Sequence, residues 1–308
     1  MRFQPYKGFP MISGFSIILE DNILYCSNKK KYPSFEIVLF VEKLMRSINP
    51  RNSWRLKKIC LTSKKIGKER IIIKHIVTKK NQNLFFCIVG NFLVGSSQAF
   101  KMLKEFSKQV NNHFKNLAEL EEASKKSSFK EIINLITNYL KNKYVEYLKE
   151  EEIDQDITTS NNNTILYAGI STQGLPIISQ LYDRDLLNNL ERETTKENIE
   201  LFSSDLSAKL ATISMNTQIR AKTKIKEIHL TDIEDNYNNK KIILFGSING
   251  YSIDFIASGN FYKIKGIFKQ LKSKMALDTI FKNEFSGDLK PFKHLKKYLN
   301  EVVKDFDY

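Results

Sequence analysis

Cysteine, proline and long apolar runs are all scarce in this sequence. Among its 308 residues there are three cysteines, six prolines and one tryptophan. Cys26, Cys60 and Cys87 are far apart, and each lies in an apolar, strand-like run. An odd number of cysteines without paired spacing argues against a disulfide framework or a zinc site. The pattern instead predicts buried thiols in a reducing compartment.

Apolar runs are also short. None approaches the roughly 20 residues that a membrane-spanning helix needs. The first residues lack an apolar core and a small-residue cleavage pattern, so we expect no signal peptide. The last residues, 305–308, offer no cysteine for prenylation. We therefore expect a cytoplasmic protein, with peripheral approach to a membrane as an open alternative.

Motifs for catalysis are missing from the sequence as well. It contains no GxxxxGK phosphate loop, no GxGxxG dinucleotide fingerprint and no HExxH zinc motif. We find no nucleophile motif and no oxygen-ligand loop for a metal. The four histidines are isolated in sequence and are interpreted as sheet or surface residues: His75, His113, His229 and His294. The expectation is a protein that is not an enzyme and uses no cofactor and no metal.

What is present is a globular composition with uneven charge. Hydrophobic residues make up 42% of the chain, which favours two domains of ordinary size over disorder. The net charge is +15, and residues 1–155 hold 28 basic against 15 acidic residues. Residues 51–80 alone hold 11 basic residues and one acid, Glu69. This stretch is either a surface for an anionic partner or a solvated edge in a lysine-rich sequence.

The same order of elements occurs twice along the chain. A β-branched run at 69–77 and an apolar run at 84–89 precede residues with helical spacing. Near the other end, runs at 241–248 and 251–256 flank Asn249-Gly250, the strongest short hairpin signal, and a helical pattern follows. Each half therefore predicts the order β-β-α-β-β-β-α-α.

A polar segment divides the two halves. Residues 151–163 are acidic, then rich in Thr, Ser and Asn, which is typical of a linker. The predicted fold class is α+β, with one domain at residues 1–150 and a second at 164–308. Each domain is predicted to contain its own five-stranded antiparallel sheet.

One predicted helix, at residues 35–48, has more apolar surface than a single sheet face can bury. Apolar side chains lie on most of its circumference, and a helix of this kind is buried on two sides or covers an interface. Two interpretations stay open at this point. Another element of the chain covers the helix, or another molecule does.

The element order resembles two tandem longin domains, and the related roadblock fold, over nearly the whole chain. The resemblance implies a non-catalytic adaptor or regulator in vesicle trafficking. Its partner would be a small GTPase or a like-folded protein, with pairing as a homo- or hetero-dimer. The implied surface is the helix between strands two and three and the strand that follows it, here 35–48 with 54–61 and 199–213 with 224–230. The implied partner-binding residues are Phe35, Leu39, Phe40, Lys43, Arg46, Trp54 and Leu56.

The basic stretch gives an alternative function, the binding of an anionic membrane surface or of nucleic acid. Nucleic acid ranks below lipid because Trp54 is the one obvious aromatic residue available for stacking on bases. The candidate anion-binding residues are Arg51, Arg55, Lys57, Lys58, Lys64, Lys65, Lys68 and Arg70.

Overall fold

The computed structural model describes residues 11–48, 54–64, 67–78, 81–92, 97–147, 163–183, 186, 195–232 and 241–304. The chain divides into two compact units. The first comprises Met1–Leu39 and Leu56–Ile157, and the second comprises Phe40–Arg55 and Thr158–Tyr308. The segment Phe40–Arg55 thus belongs with the second unit although it lies early in the sequence. The predicted domain boundaries stay a prediction.

The helices and strands follow one another in a similar order in each half of the chain. In the first half they are β1 (Met11–Leu19), β2 (Asn22–Cys26), α1 (Tyr32–Ile48), β3 (Trp54–Ser63), β4 (Gly67–Val77), β5 (Asn83–Asn91), α2 (Ser97–His113), α3 (Leu117–Ser124) and α4 (Ser127–Tyr147). In the second half they are β6 (Thr164–Thr172), β7 (Leu175–Leu181), α5 (Lys196–Ala221), β8 (Lys224–Asp232), β9 (Lys241–Ile248), β10 (Tyr251–Ser258), α6 (Phe261–Ala276) and α7 (Leu295–Lys304). None of these helices combines the length and apolar composition that a membrane span requires.

The predicted fold class is wrong in its sheets. The strands form one ten-stranded sheet in the order β2-β1-β5-β4-β3-β8-β9-β10-β6-β7, and not two separate five-stranded sheets of longin type. The first half also has three helices after its last strand instead of the two predicted. Side-chain alternation marks each strand in the sequence, but backbone hydrogen bonds decide which strands are neighbours, and these leave no residue signature.

The hairpins form where the turn residues predict them. Asn249 and Gly250 both have positive φ, 44° and 92°, and join β9 to β10 with Ile248 paired to Tyr251. This is the backbone that a two-residue hairpin turn requires. Gln173 and Gly174 make the same kind of connection between β6 and β7.

Two helices of the second half begin at capping side chains. The side chain of Thr195 caps α5 by accepting a hydrogen bond from the backbone N–H of Asn198. Thr194 stands three residues before Glu197, a spacing that predicts a capping box, but it lies outside the described residues. The tripeptide Gly-Asn-Phe occurs at the end of β5 and again after β10. Asn91 is the last residue of β5, but Asn260 caps α6, so the two copies have different structural positions.

Each unit has an apolar core on one face of its strands. In the first unit, α2 and α4 pack on the face that carries Phe15, Ile17, Phe86 and Ile88. In the second unit, α6 and α7 pack on the face that carries Ile170, Ile253 and Phe255. Since side chains alternate along a strand, the residues between these belong to the opposite face of the sheet.

Candidate functional site

Helix α1 carries most of the residues predicted to bind a partner. Phe35 is fully buried, Leu39 and Phe40 are half-buried, and Lys43 and Arg46 are exposed. Five more apolar residues of the helix are buried, namely Ile37, Val38, Val41, Met45 and Ile48. Leu44 is half-buried, and Tyr32 at the start of the helix is 44% exposed. The chain itself therefore covers most of the apolar circumference of α1 and leaves one partly apolar, basic edge.

The two predicted partner-binding residues of β3 lie in the core. Trp54 is 6% exposed and Leu56 is 2% exposed. The Lys241 ammonium lies 5.1 Å from the centre of the Trp54 ring. This cation–π contact uses the Trp54 ring face within the chain. Trp54, Leu56 and the buried Phe35 therefore have little surface left for another molecule.

The second unit places α5 beside the C-terminal half of α1. The Arg220 guanidinium lies 4.4 Å from the centre of the Phe40 ring, and Lys209 Nζ donates to the Ser47 carbonyl at 3.5 Å. On the outward side of α5, Met215 and Ile219 are 46% and 65% exposed. Sequence analysis missed them because they lie beyond the helix segment taken from the family resemblance.

The buried carboxylate of Glu42 interacts with two of the predicted basic residues, Arg46 and Arg55. Glu42 Oε1 accepts a hydrogen bond from Arg46 Nε at 3.0 Å. Burial lowers the pKa of the Arg55 guanidinium, while the nearby charge of Glu42 raises it. Arg55, predicted to bind anions, is thus half-buried and close to an internal carboxylate.

The remaining predicted anion-binding residues are spread along β3, β4 and their turn. Lys57 Nζ lies 5.1 Å from the centre of the Phe100 ring on α2. Lys64 and Lys68 are exposed near the turn, whereas Lys58 and Arg70 are half-buried. Arg51 and Lys65 lie outside the described residues.

Lys74 joins this basic group in the structure. It shares a face of β4 with Arg70, and Lys74 Nζ donates to Ser107 Oγ of α2 at 2.5 Å. Burial lowers the pKa of Lys74, and the neighbouring charge of Lys104 lowers it further. Lys57, Lys58, Arg70, Lys74 and Lys104 thus form a basic cluster beside α2. The alternation of charged and apolar residues along β4 is the signal that would have included Lys74.

The second unit also contains a buried acid that the sequence did not indicate. Asp254 of β10 is 0% exposed, and neither of its carboxyl oxygens has a hydrogen-bond partner among the described residues. Burial raises the pKa of the Asp254 carboxyl to about 8. At neutral pH this side chain is therefore mostly the uncharged acid.

The residue opposite Asp254 is a glycine with a tyrosine folded over it. Asp254 pairs with Gly169 of β6, and Tyr167 lies two residues earlier on the same face. A Cβ at Gly169 would lie 2.8 Å from Tyr167 Cζ and closer still to the hydroxyl oxygen. The Tyr167 hydroxyl therefore occupies the space that a side chain at 169 would take, directly across from Asp254.

Hydroxyl groups complete this polar group. Ser171 of β6 and Ser207 of α5 are both 0% exposed, and their Oγ atoms and the Tyr167 hydroxyl have no hydrogen-bond partner within the described chain. Burial, and to a smaller extent the Asp254 charge, raise the pKa of Tyr167, while a side-chain interaction with Ser207 lowers it. Ser207 therefore lies close to Tyr167.

The strand pattern explains why sequence analysis missed this group. The run Tyr251–Ile256 alternates polar and apolar residues, which is typical of a strand with one solvated face. In the structure, α6 and α7 cover the apolar face and α5 packs over the other. Asp254 is buried because the face predicted to be solvated is also covered.

A second acid of the same unit has the opposite environment. Glu227 of β8 accepts hydrogen bonds from Lys265 Nζ at 2.6 Å and from His229 Nε2 at 3.2 Å. Burial would raise the pKa of Glu227, but these hydrogen bonds and charges outweigh it and hold the pKa well below its usual range. Glu227 is a satisfied, structural carboxylate.

No protein-family model and no curated protein matches this chain.

Proposed function

We propose that the chain is a non-catalytic interaction module that binds a small GTPase or a protein of longin or roadblock type. The binding surface would be the face formed by the C-terminal halves of α1 and α5. The observation that carries the proposal is the packing of Arg220 on Phe40, which brings these two half-helices together. The role would be exercised in the cytoplasm, as in trafficking regulators.

The chemistry of this face supports a protein partner. Exposed residues on it combine basic charge, at Lys43 and Arg46, with apolar side chains, at Met215 and Ile219. Interfaces favour Met, Arg and other partly apolar side chains at their centre, with charge steering the encounter. A partner with an acidic, partly apolar surface complements this face.

The test is direct binding to a panel of purified small GTPases, each loaded with GDP or a GTP analogue, measured by calorimetry. Ile219→Asp should weaken binding at least about tenfold, because it places a charge at an apolar contact. Leu277→Asp is the matched control, since Leu277 at the end of α6 is 82% exposed and α6 packs on the sheet face opposite α5. Equal affinities for the two variants, or no binding by any GTPase or longin-type protein, would refute the proposal.

A second candidate function rests on the basic cluster beside α2. Lys74 lies near Lys104, and burial together with the charge of Lys104 lowers the pKa of Lys74, so a bound anion would stabilise both ammonium groups. Vesicles containing anionic lipid should bind the chain with a steep dependence on salt. Lys58→Glu with Arg70→Glu should abolish this binding, while Lys126→Glu with Lys130→Glu, at exposed positions just before and within α4, should leave most of it.

A further inference from the structure

We propose that Asp254, Tyr167, Ser171 and Ser207 enclose a site for ordered water inside the second unit. Water would supply the hydrogen bonds that these four side chains do not make to one another. The site is independent of the binding face proposed above, and neither proposal requires the other.

The first argument is the number of unsatisfied polar atoms in one place. Five side-chain oxygens, two of them on Asp254, are buried without a partner among the described residues. Leaving such groups unpaired in a folded protein is costly, and native structures rarely do so. Internal waters typically make about three hydrogen bonds to otherwise unsatisfied buried groups. A cluster of this composition is therefore a site for water.

The second argument is that the atoms converge. Gly169 and Asp254 are directly opposed on neighbouring strands, where Cβ positions lie about 5 Å apart. The Tyr167 hydroxyl occupies the Cβ position of Gly169, so it faces the Asp254 side chain across that gap. Ser171 is two residues farther along β6 on the same face.

The helix above supplies the fourth side chain. Ser203, one turn before Ser207, donates to the Ile199 carbonyl at 2.7 Å, which is the usual hydrogen bond of a serine inside a helix. Ser207 makes no such bond to the backbone. Ser207 is 0% exposed on the buried side of α5, and its interaction with Tyr167 lowers the pKa of that residue.

The surroundings favour water over an ion. Among the described residues, Tyr167 of β6 is the one other titratable group that faces Asp254, and the residue paired with Asp254 on β9 is Phe245. The buried face of α5 is uncharged, with Ser203, Leu206, Ser207, Leu210 and Ala211. With no cation on these elements facing it, Asp254 is held as the acid, in agreement with its raised pKa.

The first measurement is the thermal midpoint of the full chain from about pH 5 to about pH 9. The unfolded chain ionises Asp254 near its ordinary pKa of about 4, and the folded chain ionises it near 8. Stability contributed by this group is therefore full at low pH and is lost as pH rises through that window. Asp254→Asn keeps the shape and cannot ionise, so its profile should be flatter by several degrees. Parallel profiles would overturn the assignment of Asp254 as the acid.

The second measurement counts long-lived internal waters by oxygen-17 magnetic relaxation dispersion. Tyr167→Phe combined with Ser207→Ala removes two of the proposed partners and should lose at least one long-lived water relative to the parent chain. Tyr144→Phe is the matched control, because the Tyr144 hydroxyl is also buried without a partner among the described residues but no acidic group contributes to its raised pKa, and it should lose none. An unchanged count in the double variant would overturn the proposal.

The third measurement separates water from a bound cation. Replacing sodium and potassium with choline at constant ionic strength should leave the thermal midpoint of the parent chain unchanged. A fall in the midpoint that is absent in Asp254→Asn would mean that the oxygens hold a monovalent cation instead, and the proposal would be overturned.

Discussion

The two units have different side chains at equivalent positions of their strands. In β1, Ser16 lies three residues before the hairpin and pairs with Cys87 of β5. In β6, Gly169 lies three residues before its hairpin and pairs with Asp254 of β10. All four residues lie on the face opposite the α2–α4 or α6–α7 core. One unit therefore places a thiol where the other places a carboxyl.

The difference lies in how the polar groups are satisfied. Ser16 Oγ donates to the Tyr25 carbonyl at 2.7 Å, and burial raises the pKa of the Cys87 thiol, so it stays neutral. A neutral thiol is a small hydrophobe and needs no partner. Asp254 needs hydrogen bonds in either protonation state, and Gly169 has no side chain to offer one. Equivalent positions in the two halves of the sheet thus hold a neutral thiol in the first unit and a carboxyl that needs hydrogen bonds in the second.

The largest loss of stability is expected when a carboxyl is introduced at the equivalent position of the first unit. Cys87→Asp should lower the free energy of unfolding by about 3 kcal/mol or more at neutral pH, because Ser16 is already committed to the Tyr25 carbonyl. The loss should shrink as pH falls below about 4, where the new carboxyl becomes protonated in the unfolded state as well as in the folded one. Urea unfolding at several pH values measures it.

The control for this substitution is Cys87→Ser. Serine is polar but does not ionise, so its cost should be smaller and independent of pH. Equal losses for Asp and Ser at every pH would show that the two sheet positions do not differ in their tolerance of charge.

Gly169→Ala tests the close approach of Tyr167. The added Cβ must displace the tyrosine ring, and we expect a loss of about 2 kcal/mol in the free energy of unfolding. Gly266→Ala on α6 is the control, because nothing lies within 4 Å of its Cβ position and alanine favours helix by up to about 1 kcal/mol. Similar effects of the two substitutions on the denaturation midpoint would contradict this account of the Tyr167 ring.

Glu227 offers the opposite pH dependence within one unit. Its folded pKa is depressed, so its stabilisation is present above its ordinary pKa and is lost as pH falls, the reverse of Asp254. Lys265→Met should cost about 1 kcal/mol at neutral pH, since the lysine is partly exposed, and less in acid. Lys274→Met, at the more exposed pair with Glu301, should cost less. If the loss of stability caused by Lys265→Met increased as pH falls, this expectation would be contradicted.

The smallest effect is expected at a lone buried hydroxyl. Tyr144→Phe should change the free energy of unfolding by less than about 1 kcal/mol and in the stabilising direction, because the Tyr144 hydroxyl has no partner within the described residues. Tyr25→Phe should instead destabilise by about 1 kcal/mol, since its hydroxyl donates to Asn134 Oδ1 at 2.7 Å. Thermal unfolding of both variants tests whether the hydrogen bond of the tyrosine hydroxyl accounts for the difference between the two substitutions.

Much of the local structure could be predicted from the sequence. The turn at Asn249-Gly250, the strands on either side of it and the helices with regular apolar spacing depend on neighbouring residues, whose conformational preferences are local. The buried cysteines were also predicted correctly for Cys60 and Cys87, and Cys26 is half-buried.

The candidate sites were harder to predict because they depend on what covers each residue. The residues Phe35, Trp54 and Leu56 have the composition of an interface but lie in the core, and the exposed Met215 and Ile219 were overlooked. Apolar side chains that bind a partner and those that fill a core share the same chemistry. Their exposure follows from which elements pack on them.

By itself, the sequence determined most of the strands, hairpins and helices, and the concentration of positive charge in the first half. The tertiary structure alone decided the single ten-stranded sheet, the cover over α1 and the burial of Asp254. Gly169 and Asp254 are far apart in the chain and meet through backbone pairing of β6 with β10. Such pairing uses peptide groups that every residue possesses, so no local pattern in the sequence records it.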